Sequence, residues 1–490
     1  MSADLEKTIS GPNSIGDRNA HSDVKGVDVF EVSFSPEEDP KNLPAWRKWL
    51  AVLVINAGAI CVTSSSSMAA FAQAGIQEEW GISLELSILG VSLFTIGMGL
   101  GPFVVGAIAE LVGQRPIYLG SFFLVWVFTW PVAFAKGIAV YSVFRFLGGL
   151  SASAFLSIGG GTISDLFDSD AVATPMASYV VSTFIGPNFG PIFTGYIAQN
   201  VTWRWIYRVL IIWEFVEFLA LFVVPETYLP VLLRRKAQRK RKETGDNRYH
   251  APGNLDKPAA LEQLKTGAWS IIELMLFDTM AMLLDIWLAL ILGIVYLASQ
   301  AFPIIFAEGH GFKPGSLGLT FIGLNIGFII ALSTQPLWNR YQVYLVRKFG
   351  GNPPPEIWLK MGQLGAVLTP IGLYIMAFTT FNNVHWIGPI IGSVPFGTGI
   401  CYVYTSTFTY FATAYQTQAS AVMSGSAALR ATFAGCFPLF ANQMYHRLGT
   451  VGATSLLAGL TTVMAPLPFI FERVGARLRA KSRFASHDTT

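Results

Sequence analysis

The chain has 490 residues, of which 52% are hydrophobic and only 13% charged, with a net charge of +3 and a mean hydropathy of +0.49. Soluble domains carry about 25% charged residues. This composition therefore leaves too little charge to cover a water-facing surface, disfavours a soluble enzyme or a nucleic-acid-binding protein, and makes lipid the expected solvent. The three cysteines, Cys61, Cys401 and Cys436, each lie in an apolar run without disulfide or metal-ligand spacing.

Taken in order, residues 1–45 read as a polar, disordered cytosolic tail rich in Ser, Asp and Glu, with no apolar core of a cleaved signal. Six apolar runs follow, near 49–70, 86–108, 116–135, 139–163, 174–198 and 204–224. A basic stretch, 225–281, separates them from six more near 282–306, 317–338, 358–379, 386–410, 419–441 and 451–471, and 472–490 form a second polar tail. Each run approaches the roughly 20 residues a helix needs to cross hydrocarbon. Pro131, Pro389 and Pro395 interrupt the third and tenth, which a membrane helix tolerates when its neighbours satisfy the freed carbonyl. The expectation is an all-α integral membrane protein of twelve transmembrane helices, with six-helix bundles at 46–224 and 282–471.

Lys and Arg set the orientation. Arg234, Arg235, Lys236, Arg239, Lys240, Arg241 and Lys242 crowd the central stretch, and Arg473, Arg477, Arg479, Lys481 and Arg483 the C-terminal end, whereas the turn with Gln77, Glu78 and Glu79 has neither residue type. The positive-inside rule places both termini and the central stretch in the cytosol. The same basic run could also meet anionic lipid heads.

The segments Pro225-Glu226-Thr227-Tyr228-Leu229-Pro230 through Ala237, His385-Trp386-Ile387-Gly388-Pro389, and Phe437-Pro438-Leu439-Phe440 resemble, in this order, signatures of the fungal twelve-spanner drug:proton antiporters of the major facilitator superfamily. The polyamine- and azole-exporter branch is the most similar, and the likeness runs from about 39 to 484. It implies two pseudo-symmetric six-helix bundles that rock around a midplane site. It also implies a cell-membrane protein, expected to be monomeric, that needs a proton gradient and no cofactor. Its partners would be a small-molecule substrate, protons and the bilayer.

Motifs gain roles from the same resemblance. Gly106, Glu110, Gly113 and Arg115 are similar to the superfamily's cytoplasmic gate motif, with Gln114 where this branch usually has Arg; Ala171 and Val172 likewise stand where a charged pair is usual. Both departures remove charge and imply a thinner gate network. Arg145 matches a fourth-span Arg implicated in proton coupling; the alternative is a structural Arg holding backbone carbonyls. Gly186, Pro187, Gly190 and Pro191 resemble the antiporter motif of the fifth span, a hinge and seal, or else a packing kink.

Glu214 and Glu217 lie three residues apart on one helical face, and paired carboxylates shielded from water can hold and exchange a proton. Gln300 stands where the group typically has Glu, so proton exchange is expected to have moved from span seven to span six. Arg430 matches an Arg common in the branch and suits an anionic substrate or a balancing Glu; Asn325, Tyr402, Tyr404 and Thr405 are further cavity candidates. Ser64 to Ser67 form a polar stripe, and Asp285 reads as an interfacial charge. No nucleotide-binding loop, metal-ligand spacing or Ser/His/Asp arrangement is present. These features together imply a proton-coupled exporter of small amphipathic molecules. An organic-solute importer or facilitator, or a non-transporting receptor or scaffold on the same fold, are the other readings.

Overall fold

The computed structural model describes residues 30–32, 38–168, 171–246, 248–251, 269, 271–350, 353–381, 383–415 and 419–480. Most of the expected N-terminal tail and the last ten residues lie outside them. The chain divides into two compact units, 1–39 with 229–258, and 40–228 with 259–490.

In the smaller unit the basic stretch folds as an amphipathic helix, Leu229–Thr244. Arg239 pairs with Glu243 one turn on at 2.8 Å, and Lys236 pairs with Glu38. Two-residue strands, β1 Phe30–Glu31 and β2 Tyr249–His250, run parallel.

The larger unit holds the helices. They are α1 Ala45–Met68, α2 Gln73–Trp80, α3 Leu84–Leu100, α4 Pro102–Val112, α5 Gln114–Ala133, α6 Ile138–Leu166, α7 Ala173–Asn200 and α8 Arg204–Ala220. With the helix of the smaller unit as α9, the second set is α10 Thr279–Phe302, α11 Pro314–Leu319, α12 Ile322–Lys348, α13 Leu359–Thr379, α14 Ile387–Ala414, α15 Ala419–Met464 and α16 Leu467–Arg479. Among the described residues nine segments are long and apolar enough to cross a membrane. One of them, Ala421–Arg479, contains two rods that meet at Gly449, where φ is 72° and the helix breaks. The two other expected spans are α7 and α8, helices of 28 and 17 residues. Twelve rods thus fit the expected layout. Neither Pro131 nor Pro395 ends its helix.

Burial separates inner from outer helices. α10 is apolar on every side and almost wholly buried, whereas α8 turns Ile212, Val216 and Leu219 outward, each more than half exposed. Such faces carry a hydrophobic penalty in water and none in lipid. The start of α10 is fixed by its N-cap: Asp278 accepts from the amides of Met280 and Ala281 at 3.1 and 2.9 Å and from the Tyr415 hydroxyl at 2.8 Å. At the same end of this half, around Tyr410, Arg479 of α16 makes a buried two-pronged pair with Glu356 at 2.8 and 3.2 Å.

Candidate transport site

The two halves meet along two seams, and small residues make both possible. α3 packs on α15, where a β-carbon added at Gly99 would stand 2.5 Å from that of Ala431. α7 packs on α11 and α12, where one added at Gly318 would stand 2.2 Å from the Pro191 carbonyl and one at Gly195 2.3 Å from the Pro314 carbonyl. Close backbone approach of this kind drives helix association where no hydrophobic force acts. The second seam ends in a hydrogen bond from the Gly315 amide to Gln199 at 3.0 Å.

The four motif residues of α7 all take part in packing. Gly186 faces Thr63 and the Ile60 carbonyl of α1, and Gly190 faces Met68 and the Ser64 carbonyl. Pro187 and Pro191 lie inside the continuous helix, and Pro191 brings its carbonyl to Gly318 across the seam. The serine stripe of α1 ties this region together. Ser64 donates to the Gly186 carbonyl at 2.8 Å, Ser66 bonds Tyr296 of the other half at 2.7 Å, and Ser65 receives Arg145. The sequence shows four polar residues in a span; their three separate destinations come only with the fold.

Arg145 is buried in α6. Its Nε donates to the Gly90 carbonyl at 2.8 Å, and its terminal nitrogens donate to the Ser65 hydroxyl and carbonyl at 3.2 and 2.9 Å. The guanidinium also lies over the Phe94 ring, 4.2 Å from its centre. These are the carbonyl contacts of the structural reading, and they bind α6 to α1 and α3.

At the gate-motif end, Gly113 has a φ of 103° and its missing β-carbon leaves room for the Glu226 carboxylate. Gln114 there forms four hydrogen bonds. Its amide donates to Glu226 at 3.0 Å and its Nε2 to Asp165 at 3.0 Å. Its Oε1 accepts from Thr162 at 2.6 Å and from Thr227 at 2.7 Å. The expectation of a thinner network is therefore corrected within the N-terminal half: loss of the Arg charge leaves a dense hydrogen-bonded hub that includes the Asp165 and Glu226 carboxyl groups. Arg115 donates to the Phe222 carbonyl at 2.9 Å, Gly106 faces open space, and the Glu110 side chain lies outside the described set.

Glu214 and Glu217 are both buried on the inner face of α8. Glu214 accepts from Thr129 of α5 at 3.1 Å, and both carboxylates lie near Cys61 of α1. One oxygen of each, Glu214 Oε2 and Glu217 Oε1, has no hydrogen-bond partner. The pair sits inside the N-terminal half, where Glu214 has the Arg145 guanidinium as an electrostatic neighbour.

In the C-terminal half the structure brings Arg430 and Tyr404 together and leaves the others apart. Arg430 Nε donates to the Ser426 carbonyl at 3.0 Å, while its guanidinium lies 5.4 Å from the Tyr404 ring and 4.7 Å from that of Phe408. Tyr404 also meets Phe184 of the N-terminal half edge-on at 4.5 Å, so this cluster lies at the seam between the halves. Gln300 and Asn325 are buried, each with one polar atom unpaired. Tyr402 instead bonds Thr334 at 2.6 Å, beside a groove of about 480 Å³ with Trp338, Tyr341 and Lys360. Asp285, read as an interfacial charge, is corrected: it is 1% exposed and lies against Ser426 of α15. Neighbouring Leu284, Leu288 and Ala289 on a mostly apolar helix were the sequence signal that α10 has no wet face. Among the described residues no group of three or more His, Cys, Asp or Glu side chains could hold a metal ion.

Two helical halves joined by small-residue seams, with charged side chains buried inside each half and apolar outer faces, define a multi-pass membrane transporter. Comparison with known proteins agrees. The sequence matches the family described as Major Facilitator Superfamily over residues 54–438. It is 36% identical over 468 residues to "Efflux pump atB" of Aspergillus terreus, covering 93% of this chain and 90% of that protein. It is 36% identical over 471 residues to "Probable drug/proton antiporter YHK8" of Saccharomyces cerevisiae, covering 94% and 91%. To "Citrinin biosynthesis cluster MFS transporter mrr1" of Monascus ruber it is 34% identical over 466 residues, covering 94% and 93%. The solved human organic anion transporter MFSD10 shares the fold, with a TM-score of 0.58 at 16% identity, covering 87% of this chain and all of that one. The chain belongs to the Major Facilitator Superfamily and is a membrane transporter of small molecules, not an enzyme.

Proposed function

We propose that this transporter exports small amphipathic organic molecules, drugs or secondary metabolites, in exchange for protons across the plasma membrane, as a monomer with both termini in the cytosol. The observation that carries the reading is the α7 seam. Gly186 and Gly190 seat the helix on α1, and Pro191 meets Gly318 of the other half, which is the arrangement expected of a hinge that seals one end while the other opens. The names of the fungal relatives, efflux pumps and a drug/proton antiporter, support the direction and the coupling. Arg145 holds the first, second and fourth spans in register, Glu214 and Glu217 exchange the proton within the N-terminal half, and Gln300, Asn325, Tyr402, Tyr404 and Arg430 shape substrate contact in the C-terminal half.

The test is accumulation of dyes, azoles and fungal metabolites in efflux-deficient yeast with and without the chain, each with and without a proton uncoupler. Export predicts lower accumulation that the uncoupler abolishes. Lower uptake on deleting the chain would instead identify an importer. Glu217→Gln should reduce uncoupler-sensitive export by about a hundredfold or more, on the scale of a lost proton-transfer group; unchanged coupling removes Glu217 from the mechanism.

A further inference from the structure

Asp285 is the polar group of the C-terminal half that the reading above leaves unused. It is 1% exposed, and neither carboxyl oxygen has a hydrogen-bond partner. The Ser426 hydroxyl faces it without closing a bond of ordinary geometry. An ionised carboxylate held this way would be buried and uncompensated, which native structures avoid by neutralising the group. The charged and titratable groups around it are Asp278 at the start of α10, Tyr404 and Tyr415 of α14, and Arg430 of α15. Asp278 and Tyr415 are bonded to each other. Arg430 alone carries a positive charge, and it is turned onto the rings of Tyr404 and Phe408.

We propose that Asp285 is a second proton-exchange site, and that Arg430 alternates between Asp285 and the Tyr404–Phe408 face, where it excludes the substrate. With Asp285 protonated, as the geometry here requires, nothing holds the guanidinium near α10 and it covers the two rings. When the proton leaves to water, the carboxylate draws Arg430 one turn along α15 and uncovers them. A flat, neutral aromatic group then stacks where the guanidinium lay. Proton and substrate thereby compete without touching the same atom, which is the linkage an antiporter needs. The substrate class follows: a neutral aromatic ring is favoured over a cationic one, because Arg430, drawn only one turn away, still repels a second positive charge beside the rings. This use of the cluster in transport rests on the export reading; the protonation and the competition for the rings are measurable without it.

The experiment uses the purified full chain in lipid nanodiscs. Infrared difference spectra at neutral pH should show a protonated-carboxyl band that Asp285→Asn and Asp285→Ser remove and Glu217→Gln leaves in place. A spectrum that neither Asp285 variant changes overturns the protonation. The neutral dye Nile red, with cationic rhodamine 6G as comparison, then reports binding by fluorescence. At alkaline pH, where the parent's Asp285 has lost its proton and uncovered the rings, Asp285→Asn should weaken Nile red binding about fivefold or more, the lower range of site-to-site coupling, and it should abolish the pH dependence. Adding Arg430→Ala to Asp285→Asn should restore binding, because no guanidinium is left to cover the rings; Asp285→Ser serves where the Asn variant is poorly folded. A double variant no better than the single one overturns the competition. Equal or better binding of rhodamine 6G, or no Nile red binding to any variant, overturns the substrate class. Export failing in cells while the binding results hold would sink the export reading alone.

Discussion

Arg145 illustrates how one residue can be legible in kind and illegible in detail. A cation inside an apolar span must find compensation, and that much is plain from the sequence. Its compensation is spread over three carbonyls, one hydroxyl and the Phe94 face. A guanidinium offers donors in a planar fork, whereas an ammonium is a compact point charge with different geometry. Arg145→Lys should therefore keep the charge yet lose the junction of α1, α3 and α6. The expected result is a loss of stability of about 1.5–3 kcal/mol, the range of hydrogen bonds to charged groups, with export falling at least tenfold. Thermal unfolding in detergent and dye efflux measure the two; full export by the Lys variant would show that charge alone suffices. Asp285 is the opposite case. Its position on the chain gave no sign of which face of α10 meets α15, because the helix is apolar all round and carries no amphipathic register.

At the scale of elements, α7 depends on where its glycines point. A side chain at Gly186 would place its β-carbon 1.8 Å from Thr63 Oγ1, whereas one at Gly120 meets nothing within 4 Å. Gly186→Val should abolish export and shift the chain toward aggregates, since its β-carbon would also stand 2.8 Å from the Ile60 carbonyl of the α1 backbone, which cannot rotate away as Thr63 Oγ1 can. Gly120→Ala should stay within about 0.5 kcal/mol of the parent, as surface substitutions do. Fluorescence-detected size exclusion separates them, and a well-behaved Gly186→Val chain with normal export would remove the close seam from the mechanism. The helices themselves were readable from apolar runs and turn residues, including the breaks at Gly113 and Gly449. What the runs did not contain is partner choice. Helix α12 continues to Lys348, well past the apolar run, because its last turns carry the Arg and Lys that suit a helix C-terminus. Gln114 looked like a lost charge until four acceptors and donors were seen around it.

For the whole molecule the question is which end is shut. The seams close where Gln199 of α7 meets Gly315 of α11 and where Gly318 meets Pro191. At the gate-motif end Gln114 pairs with Asp165 and Glu226, and Lys41 with Asp168 at 3.9 Å, all within the N-terminal half. With the orientation that Lys and Arg imply, the Gln199–Gly315 contact lies on the outer side, and the export reading requires that it open. Rocking to the other state must part Gln199 from Gly315, a step no variant inside a single half can report. Cysteines placed at both positions, in a chain with the exposed Cys436 replaced by Ser, should be joined by a short bifunctional thiol reagent. Joining them should stop export while leaving the folded chain intact, and cleaving the reagent should restore it. The rate of joining should fall when the proton gradient favours the opposite state, because conformational coupling shifts populations in proportion to differential binding. Export that continues through an intact cross-link would mean that the halves do not separate at this end, and the alternating-access reading of the α7 seam would fall with it.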